Sequence, residues 1–485
     1  MSILKIAIIG GGITGLASAY SLEKEAEKKG KSVSITLLEK NNRIGGNIIT
    51  EREGDVLIEG GPDCFLSEKP WALQLCEKLG MNDSLLCTND EYRKTFILWK
   101  GHLHELPEGV ILMIPTKMFP LIMSNLISLP GKLRMAMEPF IPRKKSDKDE
   151  SLSEFVRRRL GHEVLDKIAA PLVAGVHAEN PDTMSVKSRF PKFVQMEAEY
   201  GSLIRGMIVR RKMNSEPRAY KRTMFMTLKQ GISELPDTIV KNLKKTKIFT
   251  NKEVSKIDKF VSESKENIYK ISLKSGEILD ADVVILTTPS YETAKLLGML
   301  NSSISDILNQ IPYVSTATIS LCYKKDTISH PMNGFGFLVP KPENRKITGA
   351  TWVSRKFSYR APDDSVLIRC FLGGSYNEGL VSLNDRDMIK IVKEELRDIM
   401  GISAEPVLTS IYRWEKAMPQ YTIGHEERLS ILEQRLSKHD GLFITGSAYR
   451  GSGISECIKD AEITAERVLN FIDKIYFSLA YDVVR

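Results

Sequence analysis

The chain has 485 residues, of which 42% are hydrophobic and 27% charged, and this balance excludes a disordered, collagen-like or coiled-coil protein. At about 100–200 residues per domain, the length predicts two or three domains. The 69 Lys and Arg against 61 Asp and Glu give a net charge of +8, spread along the chain, which suits an anionic substrate or a membrane surface.

The first 46 residues predict one βαβ unit. Residues 5–9 are a short apolar run typical of a buried parallel strand. Residues 16–28 have the apolar spacing and alanine content of a helix, which Gly30 ends. Residues 33–38 then predict the second strand. Parallel strands joined by a helix are typical of an α/β domain.

A glycine motif, Gly10-x-Gly12-x-x-Gly15, lies between the first strand and the helix. In this context the first glycine permits a tight turn, the second lets backbone N–H groups reach a diphosphate, and the third lets the helix pack on the sheet. The helix N-terminus adds partial positive charge for the phosphates. Glu39 ends the second strand, where a carboxylate can accept the hydroxyls of a ribose. The unit is therefore predicted to bind a dinucleotide.

The residues after Glu39 distinguish FAD from NAD. Lys40 follows directly, and the run continues to Arg43, Gly45 and Gly46. An arginine here can support the diphosphate, and the two glycines let the chain pass close to it. A site for NAD has no need of this extension, so the sequence predicts FAD.

The rest of the chain alternates between helical and β-rich segments. Residues 110–142 are rich in Met, Ile, Leu and Pro, and Ser151 with Glu154 predicts a capping box at a helix start. Residues 316–420 are predicted to be mostly β. The last block, residues 441–471, predicts a strand, a glycine-rich turn and a long helix. One nucleotide domain built from both ends of the chain is therefore expected.

Several further motifs carry a family resemblance. They are Glu59-Gly60-Gly61-Pro62-Asp63, Leu106-Pro107-Glu108-Gly109, Pro171 to Val176, Gly334 to Pro340, Trp414 with Pro419-Gln420-Tyr421, and Tyr449 to Ile458. With the Glu39 to Gly46 run, they make the chain resemble the FAD-dependent porphyrinogen oxidases, within the larger family of flavin amine oxidases and phytoene desaturases. The motifs follow the family's order over nearly the whole chain.

The resemblance implies a set of site residues. Val254 would hold the adenine through its backbone, Trp414 would pack near the isoalloxazine, and Ser452 would face the pyrimidine end of the flavin. The implied cofactor positions are Gly10, Gly11, Gly12, Ile13, Thr14, Gly15, Glu39, Lys40, Arg43, Gly45, Gly46, Gly60, Gly61, Pro62, Asp63, Val254, Trp414, Gly446, Ser447, Ser452, Gly453 and Ile454. The implied substrate positions are Phe335, Gly336 and Leu338, which would sandwich the ring, with Asp63, Lys69 and Arg93 near its carboxylates.

The resemblance also implies the reaction and its partners. A porphyrinogen, protoporphyrinogen IX or coproporphyrinogen III, would lose six electrons in three two-electron cycles in haem biosynthesis, with O₂ as acceptor. Flavin N5 would carry the chemistry, so no catalytic side chain and no metal are expected. A cytoplasmic enzyme is expected, with peripheral contact to the inner face of the membrane, hand-off to ferrochelatase and no nucleic acid; monomer and homodimer both stay open.

The expected fold is α/β, with a Rossmann-type FAD domain, a mixed-sheet substrate domain and a helical, membrane-facing insertion. The FAD domain is assigned to residues 1–90, 223–300 and 421–485, the substrate domain to 91–110, 191–222 and 301–420, and the insertion to 111–190. FAD is expected to be non-covalent, because Cys457 follows the glycine-rich turn, whereas the attachment cysteine of amine oxidases precedes it.

Two alternative functions stay open. A phytoene desaturase or an amine oxidase would share the FAD motifs but would need a carotenoid channel or an aromatic cage, and the matches around Leu106 and at 335–340 argue against both. A flavin-free prenyl-binding chaperone, from a different functional class, is opposed by the intact glycines at 45–46 and 451–453.

Overall fold

The computed structural model describes residues 3–107, 110–111, 114–115, 123–213, 222–261 and 267–482. Its strands, in chain order, are β1 (Leu4–Ile9), β2 (Val33–Leu38), β3 (Thr50–Glu53), β4 (Val56–Glu59), β5 (Phe65–Leu66), β6 (Leu85–Cys87), β7 (Thr95–Trp99), β8 (His102–Glu105), β9 (Val110–Ile111), β10 (Ile114–Pro115), β11 (Phe225–Leu228), β12 (Lys247–Phe249), β13 (Val254–Val261), β14 (Asn267–Leu273), β15 (Ile278–Ala281), β16 (Val283–Leu286), β17 (Tyr313–Lys324), β18 (Gly336–Leu338), β19 (Ile347–Trp352), β20 (Ser365–Gly373), β21 (Leu408–Pro419) and β22 (Leu442–Ile444).

Helices connect and cover these strands. Those of eight residues or more, in the part of the chain that the structure describes, are α1 (Ile13–Lys28), α2 (Trp71–Lys78), α3 (Leu129–Ala136), α4 (Leu152–Arg159), α5 (Ala170–His177), α6 (Pro191–Tyr200), α7 (Leu203–Met213), α8 (Glu234–Asn242), α9 (Ser290–Leu297), α10 (Ser302–Asn309), α11 (Asp385–Met400), α12 (His425–Leu436) and α13 (Ile454–Asp482).

A five-stranded parallel sheet joins the two ends of the chain. Its strand order is β12-β2-β1-β16-β22. The N-terminal strand β1 and the C-terminal strand β22 therefore lie on either side of β16, and both pair with it. Helices α1 and α13 pack together on one face of this sheet, around Leu16 and Ile458. The antiparallel strands β13–β15 and helices α9 and α10 cover the other face. The mixed α/β architecture and the joining of both ends agree with the sequence-based expectation.

A second, seven-stranded sheet has the order β21-β17-β20-β19-β18-β7-β8. All its neighbours are antiparallel except β18 and β7, which are parallel. One face packs on α11 through Met388, Val392 and Leu396. The opposite face contacts the segment that directly follows β4, at Gly60 and Gly61.

A helical region contributes its own core. Helices α4, α5 and α6 pack around Phe155, Val173 and Phe193, and Leu338 of β18 lies against this core. A buried ion pair ties the region together, since Arg159 Nε donates to Glu138 Oε1 at 2.8 Å and both side chains are fully buried. Arg159 also donates to the carbonyl of Ile141, and Glu138 accepts from Ser202 Oγ at 2.5 Å.

Most of the expected elements are confirmed, with two differences. The capping box is present, because Ser151 Oγ accepts from the Glu154 N–H and the Glu154 carboxylate accepts from the Ser151 N–H. The first helix begins at Ile13, three residues before the expected position, so it starts directly after Gly12. The segment 316–420 was expected to be mostly β, but it also contains α11, a 16-residue amphipathic helix capped by Asn384.

The predicted domain boundaries and the membrane insertion stay predictions. Phe193, Met196 and Leu203 share the core of the helical region, so 191–213 group with those helices rather than with the seven-stranded sheet to which they were assigned. Part of the apolar stretch 110–142 lies outside the described residues. Within the described ranges, the helices are all too short or too polar to span a bilayer.

The Glu138–Arg159 pair gives a test of the helical region. Arg159→Ala should lower the free energy of unfolding by about 3–5 kcal/mol, because it leaves a buried carboxylate without its counter-ion. Arg157→Ala is the matched control, since that side chain is 46% exposed and lies 3.9 Å from Asp182, and it should cost about 0–1 kcal/mol. Urea denaturation measures both; equal losses would mean that the buried pair does not anchor the region.

Candidate functional site

The glycine motif forms a tight cradle at the carboxyl end of β1. A Cβ on Gly15 would lie 2.0 Å from the Gly10 carbonyl oxygen, so only glycine lets α1 start so close to the strand. Gly12 caps α1 without a side-chain hydrogen bond, and the first turn contains no acidic residue. The N–H groups of this turn, which no helical carbonyl can reach, are therefore available to an anion.

The Glu39 to Gly46 run encloses the other side of the cradle. Glu39 is buried, and one carboxylate oxygen accepts from the Gly11 N–H at 2.7 Å while the other accepts from Asn41. Arg43 donates to the carbonyls of Ile44, Gly46 and Ile48, so in the structure its guanidinium shapes the loop itself. Lys40 is exposed and lies 3.7 Å from Glu292.

Two glycines bring this loop into contact with α1. The Gly45 N–H donates to the Gly11 carbonyl at 2.8 Å, and a Cβ on Gly46 would lie 3.0 Å from the Gly12 Cα. A Cβ on Gly12, by contrast, has Gly46 Cα as its nearest heavy atom, at 3.8 Å. The space beside Gly12 is thus open enough for a ligand and bordered by backbone on two sides.

The C-terminal turn closes the cradle from the opposite end of the chain. A Cβ on Gly446 would lie 3.9 Å from Thr14 Oγ1, which places the two glycine-rich turns side by side. The Tyr421 hydroxyl donates to the Ser447 carbonyl at 2.7 Å and accepts from the Gly451 N–H at 2.8 Å. This single phenol therefore fixes both ends of the turn that precedes α13.

Val254 and the remaining turn residues lie near the cradle. Val254 begins β13, next to the segment in which the Lys252 N–H donates to the Glu39 carbonyl. Ser452 and Gly453 precede α13, and Ile454 is its first residue. The structure therefore brings the predicted cofactor residues of both chain ends around one cradle.

The segment Gly60–Gly61 crosses the face of the seven-stranded sheet. The Gly60 carbonyl accepts from Trp414 Nε1 and from Thr318 Oγ1, each at 2.9 Å, and from Arg369. A Cβ on Gly61 would lie 1.7 Å from the Asn47 carbonyl oxygen, which follows the Gly45–Gly46 loop directly. The residues predicted to lie near the isoalloxazine, Gly60, Gly61 and Trp414, are thus in direct contact with the loop that borders the cradle.

The sheet register puts predicted cofactor and substrate residues on one face. Directly opposite residues of antiparallel strands project from the same face. One row across the strands consists of Ser410, Ser320, Arg369, Thr351 and Gly336, and the next of Tyr412, Thr318, Phe371, Gly349 and Leu338. At about 4.8 Å per strand, β18 lies roughly 19 Å from β21. Phe335 is half-buried at the start of β18, where its N–H donates to the Lys94 carbonyl.

Asp63 forms a partly buried ion pair with a lysine. Its carboxylate lies 2.8 Å from Lys356 Nζ, and Lys356 with Arg369 holds the pKa of the Asp63 carboxyl well below its usual range despite the desolvation. Pro62 precedes it in the same half-buried turn. Asp63 is predicted for both cofactor and substrate contact, and in the structure its partner is the protein's own lysine.

A cationic cluster lies beside the Ser452 turn. Arg189 Nη1 donates to Ser452 Oγ at 3.0 Å, its guanidinium stacks on the Tyr421 ring at 3.5 Å, and Glu179 accepts from it. Lys69 contacts the Glu456 carboxylate, yet burial and the charges of Arg189 and Lys192 lower the pKa of Lys69 to about 8. The cluster therefore brings the cations Arg189, Lys69 and Lys192 within electrostatic range of one another.

The predicted propionate contacts Lys69 and Arg93 are on different elements. The Lys69 carbonyl accepts from Ser455 Oγ at the start of α13, whereas Arg93 is exposed on the loop before β7. Arg189, Tyr421 and Arg369 were missed as site residues. Tyr421 belongs to a motif of the resemblance but was given no role, and a single arginine without a glycine motif around it carries no local signal.

These observations fit a dinucleotide with a flavin at its end. The open space beside Gly12 is bordered by glycines and by free backbone N–H groups, as a diphosphate requires. Glu39 contacts the same turn through the Gly11 N–H, and the aromatic side chain of Trp414 contacts the Gly60 carbonyl. Cys457 is buried against the Gly451 carbonyl at 3.8 Å, and burial raises the pKa of its thiol to about 12. A thiol so held is a poor nucleophile, which supports non-covalent binding.

The cradle makes a prediction about two glycines. Gly12→Ala should leave the fold intact, since Gly12 has φ −72° and free space for a methyl group, but it should weaken FAD binding at least tenfold, about 1.4 kcal/mol, by occupying the diphosphate position. Gly15→Ala should destabilise the apoprotein as well. FAD titration and thermal denaturation of apoprotein measure the two effects; a Gly12→Ala protein that binds FAD like the wild type would place the diphosphate elsewhere.

Comparison with known proteins identifies the family of the chain. The family model of flavin containing amine oxidoreductases matches residues 13–469. The chain is 37% identical over 470 residues to the coproporphyrinogen III oxidase of Bacillus subtilis (strain 168), covering 96% of this chain and 98% of the relative. It is 30% identical to the chloroplastic protoporphyrinogen oxidase of Oryza sativa subsp. japonica, covering 96% and 88%.

A solved structure shows the same fold. The crystal structure from Exiguobacterium sp. 255-15, named for protoporphyrinogen oxidase, superposes with a TM-score of 0.83 at 31% identity, covering 96% of this chain and 99% of that one. The family match begins at Ile13, after β1 and Gly12, and covers the rest of the parallel sheet, the whole seven-stranded sheet and the C-terminal glycine-rich turn. The chain therefore belongs to the flavin containing amine oxidoreductase family.

Proposed function

We propose that this oxidoreductase, with FAD as its cofactor, converts a porphyrinogen to the porphyrin in haem biosynthesis, with O₂ as the final oxidant. The relatives named as coproporphyrinogen III and protoporphyrinogen oxidases support this substrate class. Hand-off to ferrochelatase is a prediction that accompanies it, and monomer and homodimer both stay open.

The observation that carries the proposal is a pair of apolar side chains, Leu338 and Phe371, on the sheet face that also bears Arg369, with further cations near the adjoining helix α5. Leu338 and Gly336 share a face with Phe371, and Leu338 lies against α5, where a Cβ on Gly175 would be 2.5 Å from its side chain. The last residue of α5, His177, is half-buried, and desolvation together with the charges of Arg189 and Lys69 lowers its pKa. A flat apolar ring with carboxylate groups matches such a surface.

The protein's own residues bind and orient rather than transfer protons. Bound FAD would supply the redox chemistry, by accepting two electrons and a proton from a bridging carbon. Gly336, with φ +141°, allows the backbone to lie against β19, where a Cβ would be 2.0 Å from the Ala350 carbonyl oxygen. Phe335 and Leu338 would hold the ring, and their apolar surface would exclude water from it.

The cations set the expected substrate range. Lys69 is half-exposed, and an ion pair at such a partly wet position is worth only about 0–1 kcal/mol. A tetra-carboxylate and a di-carboxylate porphyrinogen should both bind, because neither depends on one fixed, fully buried pair.

An assay with both porphyrinogens tests the function. The purified FAD-loaded protein should produce porphyrin fluorescence from coproporphyrinogen III and from protoporphyrinogen IX, with kcat/KM values within roughly tenfold, because the ion pairs are weak. Lys69→Met should raise KM, and Lys78→Met, an exposed pair with Glu462, is the control. Putrescine serves as the amine-oxidase alternative. FAD-loaded protein that oxidises neither porphyrinogen would refute the proposal, and a ratio above about a hundred would reveal a specific pocket.

We also propose that the helical region docks peripherally on a membrane. Leu129, Leu133 and Met137 follow one face of α3 and the residue after it, and they are 71%, 61% and 58% exposed. Phe140, 80% exposed, continues this apolar surface, and the cation Arg143 is exposed close to it in sequence. An apolar face flanked by basic residues is typical of proteins that lie on a bilayer.

Flotation with anionic liposomes tests the docking face. The wild type should float at low salt, and the double variant Leu133→Asp with Phe140→Asp should remain in the bottom fraction, because charged residues oppose insertion. Met299→Asp is the control, since Met299 is 78% exposed but lies after α9. Full recovery of wild type in the bottom fraction would contradict the proposal; loss of flotation in the control would implicate net charge instead.

A further inference from the structure

Arg369 is a buried cation with an unused hydrogen-bond donor. It is 4% exposed in the middle of β20, and its Nη2 donates to the carbonyls of both Gly60 and Gly61. Its Nε is buried and has no hydrogen-bond partner among the described residues. A buried donor without a partner is costly, so a ligand that supplies an acceptor or a negative charge is expected beside it.

The sheet register places this cation between the flavin side and the substrate side. Arg369 is directly opposite Ser320 on β17 and Thr351 on β19, and Thr351 is opposite Gly336. Arg369 therefore shares the face of Gly336 and lies two strands, roughly 10 Å, from it at about 4.8 Å per strand. On its other side it touches Gly60 and Gly61, the predicted flavin positions.

The buried charges around Arg369 do not balance. Three cations, Lys356, Arg360 and Arg369, face two carboxylates, Glu59 and Asp63. The Asp63 carboxylate forms an ion pair with Lys356 Nζ at 2.8 Å. Burial raises the pKa of Glu59 to about 7, so this carboxyl carries only part of a negative charge near neutral pH.

We propose that Arg369 bears the positive charge that stabilises reduced FAD in this site. The inference rests on the proposed function only in taking FAD as the electron acceptor. Transfer of two electrons and one proton from the substrate adds one negative charge to the cofactor. That charge leaves when O₂ takes the two electrons and the proton and, with a second proton from solvent, becomes H₂O₂. A fixed guanidinium in a site of low dielectric constant favours the charged state.

The alternative is a purely structural role, in which Arg369 only holds the Gly60–Gly61 turn. A structural role predicts that loss of Arg369 weakens oxidised and reduced FAD equally. A charge role predicts that the affinity for reduced FAD falls more. The Gly60 carbonyl keeps Thr318 and Trp414 as donors when Arg369 is replaced, so the turn retains support.

The experiment compares oxidised and reduced FAD in Arg369→Met and Arg369→Lys. Affinity for oxidised FAD is measured by titration of apoprotein, and the midpoint potential by equilibration with a reference dye. Arg369→Met should lower the ratio of reduced to oxidised affinity at least tenfold, about 30 mV for a two-electron couple. Arg369→Lys should keep the ratio within about threefold while binding oxidised FAD more weakly, because it keeps the charge but not the forked geometry.

Arg413→Met is the matched control. Arg413 lies on β21 between Tyr412 and Trp414, but it donates to the carbonyls of Val381 and Leu383 on the opposite face of the sheet. Its replacement removes the same charge and should leave the ratio unchanged. A ratio in Arg369→Met within about threefold of wild type, or an equal change in Arg413→Met, would overturn the proposal.

A measurement on the wild type keeps the proposal testable if Arg369→Met does not fold. Below the pKa of free reduced FAD, the bound cofactor should take up one proton per two electrons, because the guanidinium keeps it anionic, whereas free FAD takes up two. The slope of midpoint potential against pH reports this number. Two protons in the wild type would refute the charge role, even if porphyrinogen oxidation is confirmed; one proton would support it even if that activity is absent.

Discussion

The close backbone approach at Gly60–Gly61 is the constraint on which the arrangement of the site depends. A Cβ on Gly60 would lie 2.7 Å from the Tyr412 ring, and one on Gly61 would lie 1.7 Å from the Asn47 carbonyl oxygen. Because both positions lack a side chain, one segment can touch the loop of the dinucleotide cradle and the face of the seven-stranded sheet together. Any larger residue would separate the two sheets, and with them the cofactor and substrate positions.

Hydrogen bonds to two carbonyls hold this approach in place. Trp414, Thr318 and Arg369 all donate to Gly60, and Arg369 donates to Gly61 as well. These donors come from three adjacent strands, so the sheet register and the position of the segment determine each other. The partly buried Asp63–Lys356 pair continues the same contact beyond Pro62.

The helical region contacts the site through Arg189. This residue belongs to a short helix of that region, yet it donates to Ser452 Oγ and stacks on Tyr421, which in turn fixes the Ser447 and Gly451 backbone. The cost of burying the guanidinium is offset by Glu179, which accepts from it at 2.6 Å. The helical region and the turn before α13 are therefore in direct contact.

Local patterns in the sequence determined the cradle, because each requirement there is met within a few residues. Gly10, Gly12 and Gly15 are required by a turn and a close helix contact, and Glu39 follows its strand directly, so spacing alone predicts them. The same holds for the Ser151–Glu154 capping box. Helix α11 also has a local pattern, apolar residues spaced four apart, but the surrounding β-rich segment led to a prediction of strands there.

Only the tertiary structure decided which distant residues meet. The register of β17–β21 brings Arg369, Thr351 and Gly336 into one row, and Arg189 reaches the Ser452 turn across more than 260 positions of sequence. Such contacts depend on strand order and packing rather than on propensity, so no local spacing encodes them. Lys69 and Arg93 lie on separate elements of the fold, so their shared contact with the substrate stays a prediction.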